Sequence, residues 1–256
     1  MKRSQLLLAS LILIAALLLT ACGGGSGSTD EGSSEPAPEA TPATGGDSGS
    51  SESVDSGNSG DTAGTFSLDP ANSSSEAAGY VYETLVNGDG AGVLAESYTV
   101  SEDELDYIFA LRPGVTFHDG SALTADVVIS NFNRWFDPND PNRGSGDYAA
   151  WAANFGGFKG ETNEDGTPKS VYDGIERVNE LTVLVHLNKV DAEFISKLSN
   201  SAFAIVSTNA FGGEADGGSG PYQVGAVSGS TATLDPFPGY WNAEAIPSSS
   251  MDATVE

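Results

Sequence analysis

The chain has 256 residues, 36 acids against 10 bases for a formal net charge of −26, and a single cysteine. Such a charge repels nucleic acid, whose binding relies on Lys and Arg neutralising phosphates, so nucleic acid is excluded as a partner. One cysteine excludes an intrachain disulfide, and any folded part must hold together by packing alone.

Residues 1–22, MKRSQLLLASLILIAALLLTAC, open with Lys2 and Arg3 and run apolar from Leu6 to Leu19. That is a positive n-region followed by an h-region of secretory length. The uncharged run ends at Ala21, short of the ~20 apolar residues a spanning helix requires. Leu19-Thr20-Ala21-Cys22 resembles the lipobox of bacterial lipoproteins, which implies a signal peptide over 1–21 and acylation of Cys22; a plain signal peptide is the alternative. Each buried lipid CH₂ contributes ~0.8 kcal/mol, and the two or three chains of a lipobox cysteine make a durable anchor. The expected location is the outer face of the cytoplasmic membrane, attached by lipid and not spanning. After Cys22, residues 23–64 are Gly, Ser, Pro, Thr and eight acids with no base. Such a segment buries too little to offset its ordering entropy and is expected to be a disordered tether over 22–64, reaching roughly 35 Å.

From Phe66 the composition changes, and 65–256 is the expected folded domain; it keeps 28 acids against 8 bases. This acidity either attracts cationic solutes or serves solubility. AAGYVYETLV (77–86) has apolar residues at helical spacing and predicts a helix ending at Asn87-Gly88. VLAESYTV (93–100) and LDYIFALR (105–112) alternate as strands about the acidic turn 101–104 and predict a hairpin. Thr124 is placed to cap a helix over 125–136, with Asp126 in its first turn and Val127, Val128, Phe132 and Trp135 along its apolar side. Residues 137–170 read as loop. IERVNELTVLVHL (175–187) predicts a second hairpin turning at Asn179-Glu180, AEFISKL (192–198) a short helix, and FAIVS (203–207) a buried strand. GPYQVGAVSGSTATLDPFPGYW predicts a third hairpin about Ser228-Gly229-Ser230. Hairpins and helices mixed without a βαβ rhythm indicate an α/β or α+β domain with a largely mixed sheet.

Nucleophilic catalysis needs a nucleophile, a base in reach and an orienting group. The part after the tether has no cysteine and two histidines. His186, inside LTVLVHL, is expected to be a satisfied strand histidine. His118 lies in a turn before Asp119-Gly120, where side chains favour local hydrogen bonds. There is no G-x-S-x-G elbow and no H-E-x-x-H pair. GSGPYQVG lacks the lysine of a P-loop, so its glycines read as backbone permissiveness. DPNDPNRGSGD (137–147) mimics a calcium loop in composition, but Pro141 stands where a ligand belongs and the terminal glutamate is missing. No enzyme signature remains, and no metal or other cofactor is expected.

The segment LAESYTVSEDELDYIFALRPGVTFHDGSALTADVVISNFNRW resembles the extracytoplasmic solute-binding proteins of ABC importers, in the peptide/nickel-binding class (family 5). LDPANSSSEAAGYVYETLV, IERVNELTVLVHLNKVDAEFISKLSN and GSGPYQV…PGYW resemble further motifs of that family in the same order, so the resemblance covers roughly 66–247. Tyr98 stands where the family usually has tryptophan. Members are about twice as long, so this chain is expected to be an incomplete, N-terminal first lobe of a type II periplasmic-binding-protein-like fold. The resemblance implies a non-catalytic receptor that captures a small solute between two lobes and delivers it to ABC permease subunits. Peptide is the default ligand, with nickel chelates, opines and oligosaccharides known in the class. It places Ser73, Ser74 and Ser75 at the cleft, and Tyr148 and Trp151 as possible aromatic walls or, alternatively, packing. The cassette around His118 then reads as scaffold, with Gly114 and Gly120 in turns and Arg112 pairing with Asp126. A surface-displayed hydrolase or adhesin, using the lipid only for display, is the alternative function.

Overall fold

A computed structural model describes residues 69–73, 75–212 and 216–255. The signal peptide, Cys22, the tether and Ser74 lie outside the described residues. Among the described residues the α-helices are α1 (Ala78–Val81), α2 (Ala125–Phe136), α3 (Ala149–Phe155) and α4 (Phe194–Leu198). The strands are β1 (Ala95–Val100), β2 (Asp106–Leu111), β3 (Tyr172–Asn179), β4 (Thr182–Leu187), β5 (Tyr222–Ser228), β6 (Thr231–Pro236) and β7 (Met251–Thr254). They form a four-stranded sheet in the order β1-β2-β4-β3 and a three-stranded sheet in the order β5-β6-β7. Every pairing between these strands is antiparallel, where the sequence led us to expect a mixed sheet.

The four-stranded sheet follows from period-two patterning. Tyr107, Phe109 and Leu111 on β2 and Val183, Val185 and Leu187 on β4 alternate inward, as a sheet with one covered face requires. Helix α2 packs on β3 and β4. Thr124 Oγ1 accepts from the Val127 N–H, Asp126 occupies the first turn, and Val128, Phe132 and Trp135 are fully buried. One hydrophobic cluster joins this sheet to α2, α3 and α4; a second joins α1, residues 204–210 and the three-stranded sheet.

All three hairpins form where the patterning puts them. Three other segments differ from expectation. The helix expected over 77–86 is a single turn, because Tyr82 is already extended (φ −117°, ψ 147°). The chain beyond it pairs instead: the Glu83 carbonyl accepts from Ile205 N–H, and Leu85 from Val93 and Ala95. A β-branched and aromatic run tolerates this extended state well. Of the expected 203–207 strand, Phe203 ends a 3₁₀ turn (Ser201–Phe203), and the buried residues 204–207 join neither sheet. The Ile205 and Ser207 N–H groups donate to the Glu83 and Gly217 carbonyls, and between them a side chain serves Val206: the Asn131 amide donates to the Val206 carbonyl (2.8 Å) and accepts from the Val206 N–H (3.2 Å). Within the expected 137–170 loop, AAWAANF forms α3, with Trp151 and Phe155 buried at i, i+4.

Candidate functional site

The segment from Asp69 to Ser75 is pinned at both ends. At the first, Asp69 forms a two-pronged buried pair with Arg134: Nη1 donates to Oδ2, and Nη2 donates to Oδ1 at 3.0 Å. Arg134, 1% exposed, also donates to Asn131 Oδ1 and lies 4.4 Å over the Phe211 ring. The Ala71 N–H returns to Asp69 Oδ1 and the Asn72 N–H to its carbonyl, which closes the turn after Pro70. At the far end, Ser75 Oγ accepts from the Ala78 N–H and the Ala77 N–H donates to the Thr254 carbonyl. Ser73, half-buried, accepts from the Ser75 N–H, whereas Ser75 is buried.

Tyr148 and Trp151 are 2% and 1% exposed. The Tyr148 hydroxyl donates to the Arg143 carbonyl at 2.5 Å and Trp151 Nε1 to the Gly157 carbonyl at 3.2 Å. Trp151 packs among Phe132, Trp135, Phe136, Phe155 and Tyr172. Both aromatics are therefore packed into the core in this conformation. Their loop nevertheless meets the serine segment, since a Cβ on Gly146 would collide with the Asn72 side chain. Arg143 organises this loop by donating to the Arg134 and Trp135 carbonyls at the end of α2, between the Tyr148 and Phe158 rings.

Directly behind α1 lies a polar cluster that sequence reading did not assemble. Glu83 accepts from the Tyr240 hydroxyl (2.7 Å), Trp241 Nε1 (2.8 Å) and the Ser219 hydroxyl. Burial raises its carboxyl above the ordinary range, and these three donors only partly offset that. Tyr240 is raised too, first by burial and then by its bond to Glu83. A lone acid inside the apolar YVYETLV was the available signal. Gly218 and Gly220 are required by close approach: a Cβ on Gly218 would drive into the Val81 carbonyl, and one on Gly220 into that of Tyr80.

His118 does not bond locally. Its Nδ1 lies 2.7 Å from Asp216 Oδ1 and its Nε2 2.9 Å from the Gly220 carbonyl, with the side chain 2% exposed. Nor does Arg112 pair with Asp126. Arg112 Nε donates to the Val93 carbonyl and its guanidinium lies 4.1 Å over Trp241, while Asp126 pairs with Arg177 at 2.8 Å. Those two partners stand on neighbouring elements, whereas Arg112 is held at the strand end by the indole. His186 bonds through Nδ1 to Asp106, directly opposite on β2. Among the described residues, no helix is long and apolar enough to cross a membrane.

The family model for bacterial extracellular solute-binding proteins, family 5 Middle, matches residues 91–251. The glutathione-binding protein GsiB of Pectobacterium atrosepticum is 32% identical over 158 residues, which is 59% of this chain and 27% of that protein. Heme-binding protein A of Haemophilus influenzae is 34% identical over 122 residues, 44% of this chain and 20% of that protein. The chain thus spans about a quarter of the length of these curated relatives. Among solved structures, the periplasmic binding protein DppA of Helicobacter pylori, in complex with the peptide STSA, superposes with a TM-score of 0.60. It is 24% identical, with 74% of this chain and 40% of that one covered. HbpA2 of Haemophilus parasuis gives 0.59 at 23% identity, covering 74% and 41%. With a matched stretch running from before β1 to the start of β7, this chain belongs to the family 5 bacterial extracellular solute-binding proteins.

Proposed function

We propose that this chain supplies one lobe of a receptor that captures a small solute, a peptide above all, outside the cell and hands it to ABC permease subunits. The observation that carries the reading is the family match across 91–251, which includes both hairpins of the larger sheet and the GSGPY hairpin. Relatives named for glutathione and for di- and tripeptides, and a fold shared with a peptide-bound protein, favour peptide. In this reading Ser73 and Ser74 offer hydroxyls and backbone to the ligand, while Ser75 bonds the Ala78 N–H of α1. Tyr148 and Trp151 shape the loop beside that segment from the core side. Closure onto the ligand is driven by differential contact, because the solute touches both lobes only in the shut state.

The test is a thermal-shift and calorimetry panel on the longest reading frame that contains this chain, with di- to pentapeptides, glutathione, haem and nickel chelates. Saturable binding of a peptide without turnover, with stabilisation growing as RT ln(1 + [L]/Kd), is expected. Hydrolysis of a panel member, or no stabilisation by any, would overturn it. Attachment through Cys22 is part of the same proposal: Cys22→Ala should release the protein from the membrane fraction and abolish incorporation of labelled palmitate.

A further inference from the structure

Asparagine followed by glycine occurs once in the chain, at Asn87-Gly88. The pair lies in the loop that joins the extended segment after α1 to β1, and both residues are exposed. The loop holds Asn87 by three of its groups. The backbone N–H donates to the Ala91 carbonyl and the backbone carbonyl accepts from the Gly90 N–H, both at 2.9 Å. Side-chain Oδ1 accepts from the Asp89 N–H (3.0 Å) and from the Ala91 N–H (2.9 Å). Two groups stand outside this network: among the described residues, neither the Gly88 N–H nor Asn87 Nδ2 makes a hydrogen bond.

We propose that Asn87-Gly88 is a self-modifying site, at which the Gly88 nitrogen closes on the Asn87 carboxamide and turns the asparagine into aspartate and isoaspartate. In the first step the Gly88 nitrogen bonds to Asn87 Cγ and gives up its proton to solvent. The Cγ–Nδ2 bond breaks, and Nδ2 takes a proton from solvent and leaves as ammonia. Water, the one co-reactant, then adds to either carbonyl of the cyclic imide. Opening at one carbonyl gives aspartate and at the other isoaspartate, with no oxidation or reduction. The groups that must stay are therefore held, and the two that must react are free. The N–H groups on Oδ1 stand where negative charge develops as the nitrogen adds, as the donors of an oxyanion hole do. Glycine at the next position leaves that nitrogen unshielded by any Cβ.

Other asparagines lack one of these conditions. Asn131, Asn154, Asn163, Asn188 and Asn209 each donate through Nδ2 to a protein acceptor, which ties down the leaving group. Asn179 and Asn200 also accept a backbone N–H through Oδ1, but Glu180 and Ser201 follow them and flank the attacking nitrogen with a side chain. The two products differ in consequence. Aspartate retains an oxygen for both donors and adds a charge. Isoaspartate lengthens the backbone inside a loop closed by the Val86–Gly92 bridge.

The test is incubation of the folded full chain at mildly alkaline pH, followed by peptide mapping with mass spectrometry. The peptide carrying Asn87 should lose the mass of ammonia, then gain that of water and split into two products of equal mass. Peptides carrying Asn131, Asn154 and Asn188 should stay unchanged. In Gly88→Ala the added Cβ meets nothing within 4 Å. That variant should fold as before and convert about tenfold more slowly or less, which is ~1.4 kcal/mol on the barrier. An intact Asn87 in the folded chain, over a period in which the urea-unfolded chain converts, would overturn the proposal. Equal rates in wild type and Gly88→Ala would overturn it as well.

Discussion

Arg134 carries a full charge into a position that is 1% exposed, and the partner that makes this tolerable is Asp69, 65 residues earlier. Removing one member of such a pair leaves the other desolvated and unpaired, which costs ~3–5 kcal/mol. Asp69→Ala is expected to lose that much in urea denaturation. Lys159→Ala, which breaks a pair with Asp137 whose lysine is 61% exposed, should lose no more than ~1 kcal/mol. Asp119 illustrates the opposite electrostatic case. Burial would raise its carboxyl, but hydrogen bonds from Ser121, Ser207 and Asn209 outweigh it and hold the group below the usual range. Its stabilisation is present above the unfolded value near about 3.9 and lost as pH falls through the lower folded value. Asp119→Asn should therefore flatten the acid limb of the stability profile below about pH 4, read by thermal melts across pH.

Helix α2 is the element through which most of these contacts pass. Its start depends on Thr124 Oγ1 accepting from the Val127 N–H, and Thr124→Ala should cost ~1 kcal/mol. Its middle substitutes for a β-strand, since Asn131 satisfies both backbone groups of Val206. Asn131→Ala strands two buried polar groups, each worth ~1–3 kcal/mol, so it should destabilise more than the cap variant although it removes no apolar surface. Elements with a local signal were legible in the sequence. The cap and apolar side of α2 and the alternating strands of the first two hairpins are examples, as their patterns are complete within a dozen residues. What was not legible depends on distant partners. Nothing within 203–207 distinguishes a strand paired in a sheet from a 3₁₀ turn followed by a segment whose Val206 is paired to an asparagine on a helix. YVYETLV carries helical spacing, yet its backbone is claimed by Ile205, Val93 and Ala95.

For the whole molecule, the charge of −26 is the property with the broadest physical effect. The 28 acids against 8 bases of residues 65–256 oppose compaction of that part. Salt shortens their reach from about 30 Å at 0.01 M to about 8 Å at 0.15 M. The melting temperature should therefore rise with sodium chloride over that range, and a flat response would show that local pairing dominates. The order of motifs along the chain made the family visible, but the candidate site was only partly so. Ser73 and Ser75 follow a turn anchored by the Asp69–Arg134 pair, and no local pattern announces that Arg134, on the far end of α2, is its foundation. Tyr148 and Trp151 have the residue types of a binding wall and the burial of a core, a distinction that composition does not carry.

Trp241 sits between an Arg112 guanidinium over its face and the Glu83 carboxylate on its indole nitrogen, whereas Trp135 and Trp151 are buried in the larger aromatic cluster. Of the chain's three tryptophans, this one should have an emission that responds to the charge of its neighbours. It should serve as an intrinsic optical reporter of the junction behind α1. With Trp135→Phe and Trp151→Phe the other two fall silent, and titrating the remaining fluorescence would follow the ionisation of Glu83 without any attached dye.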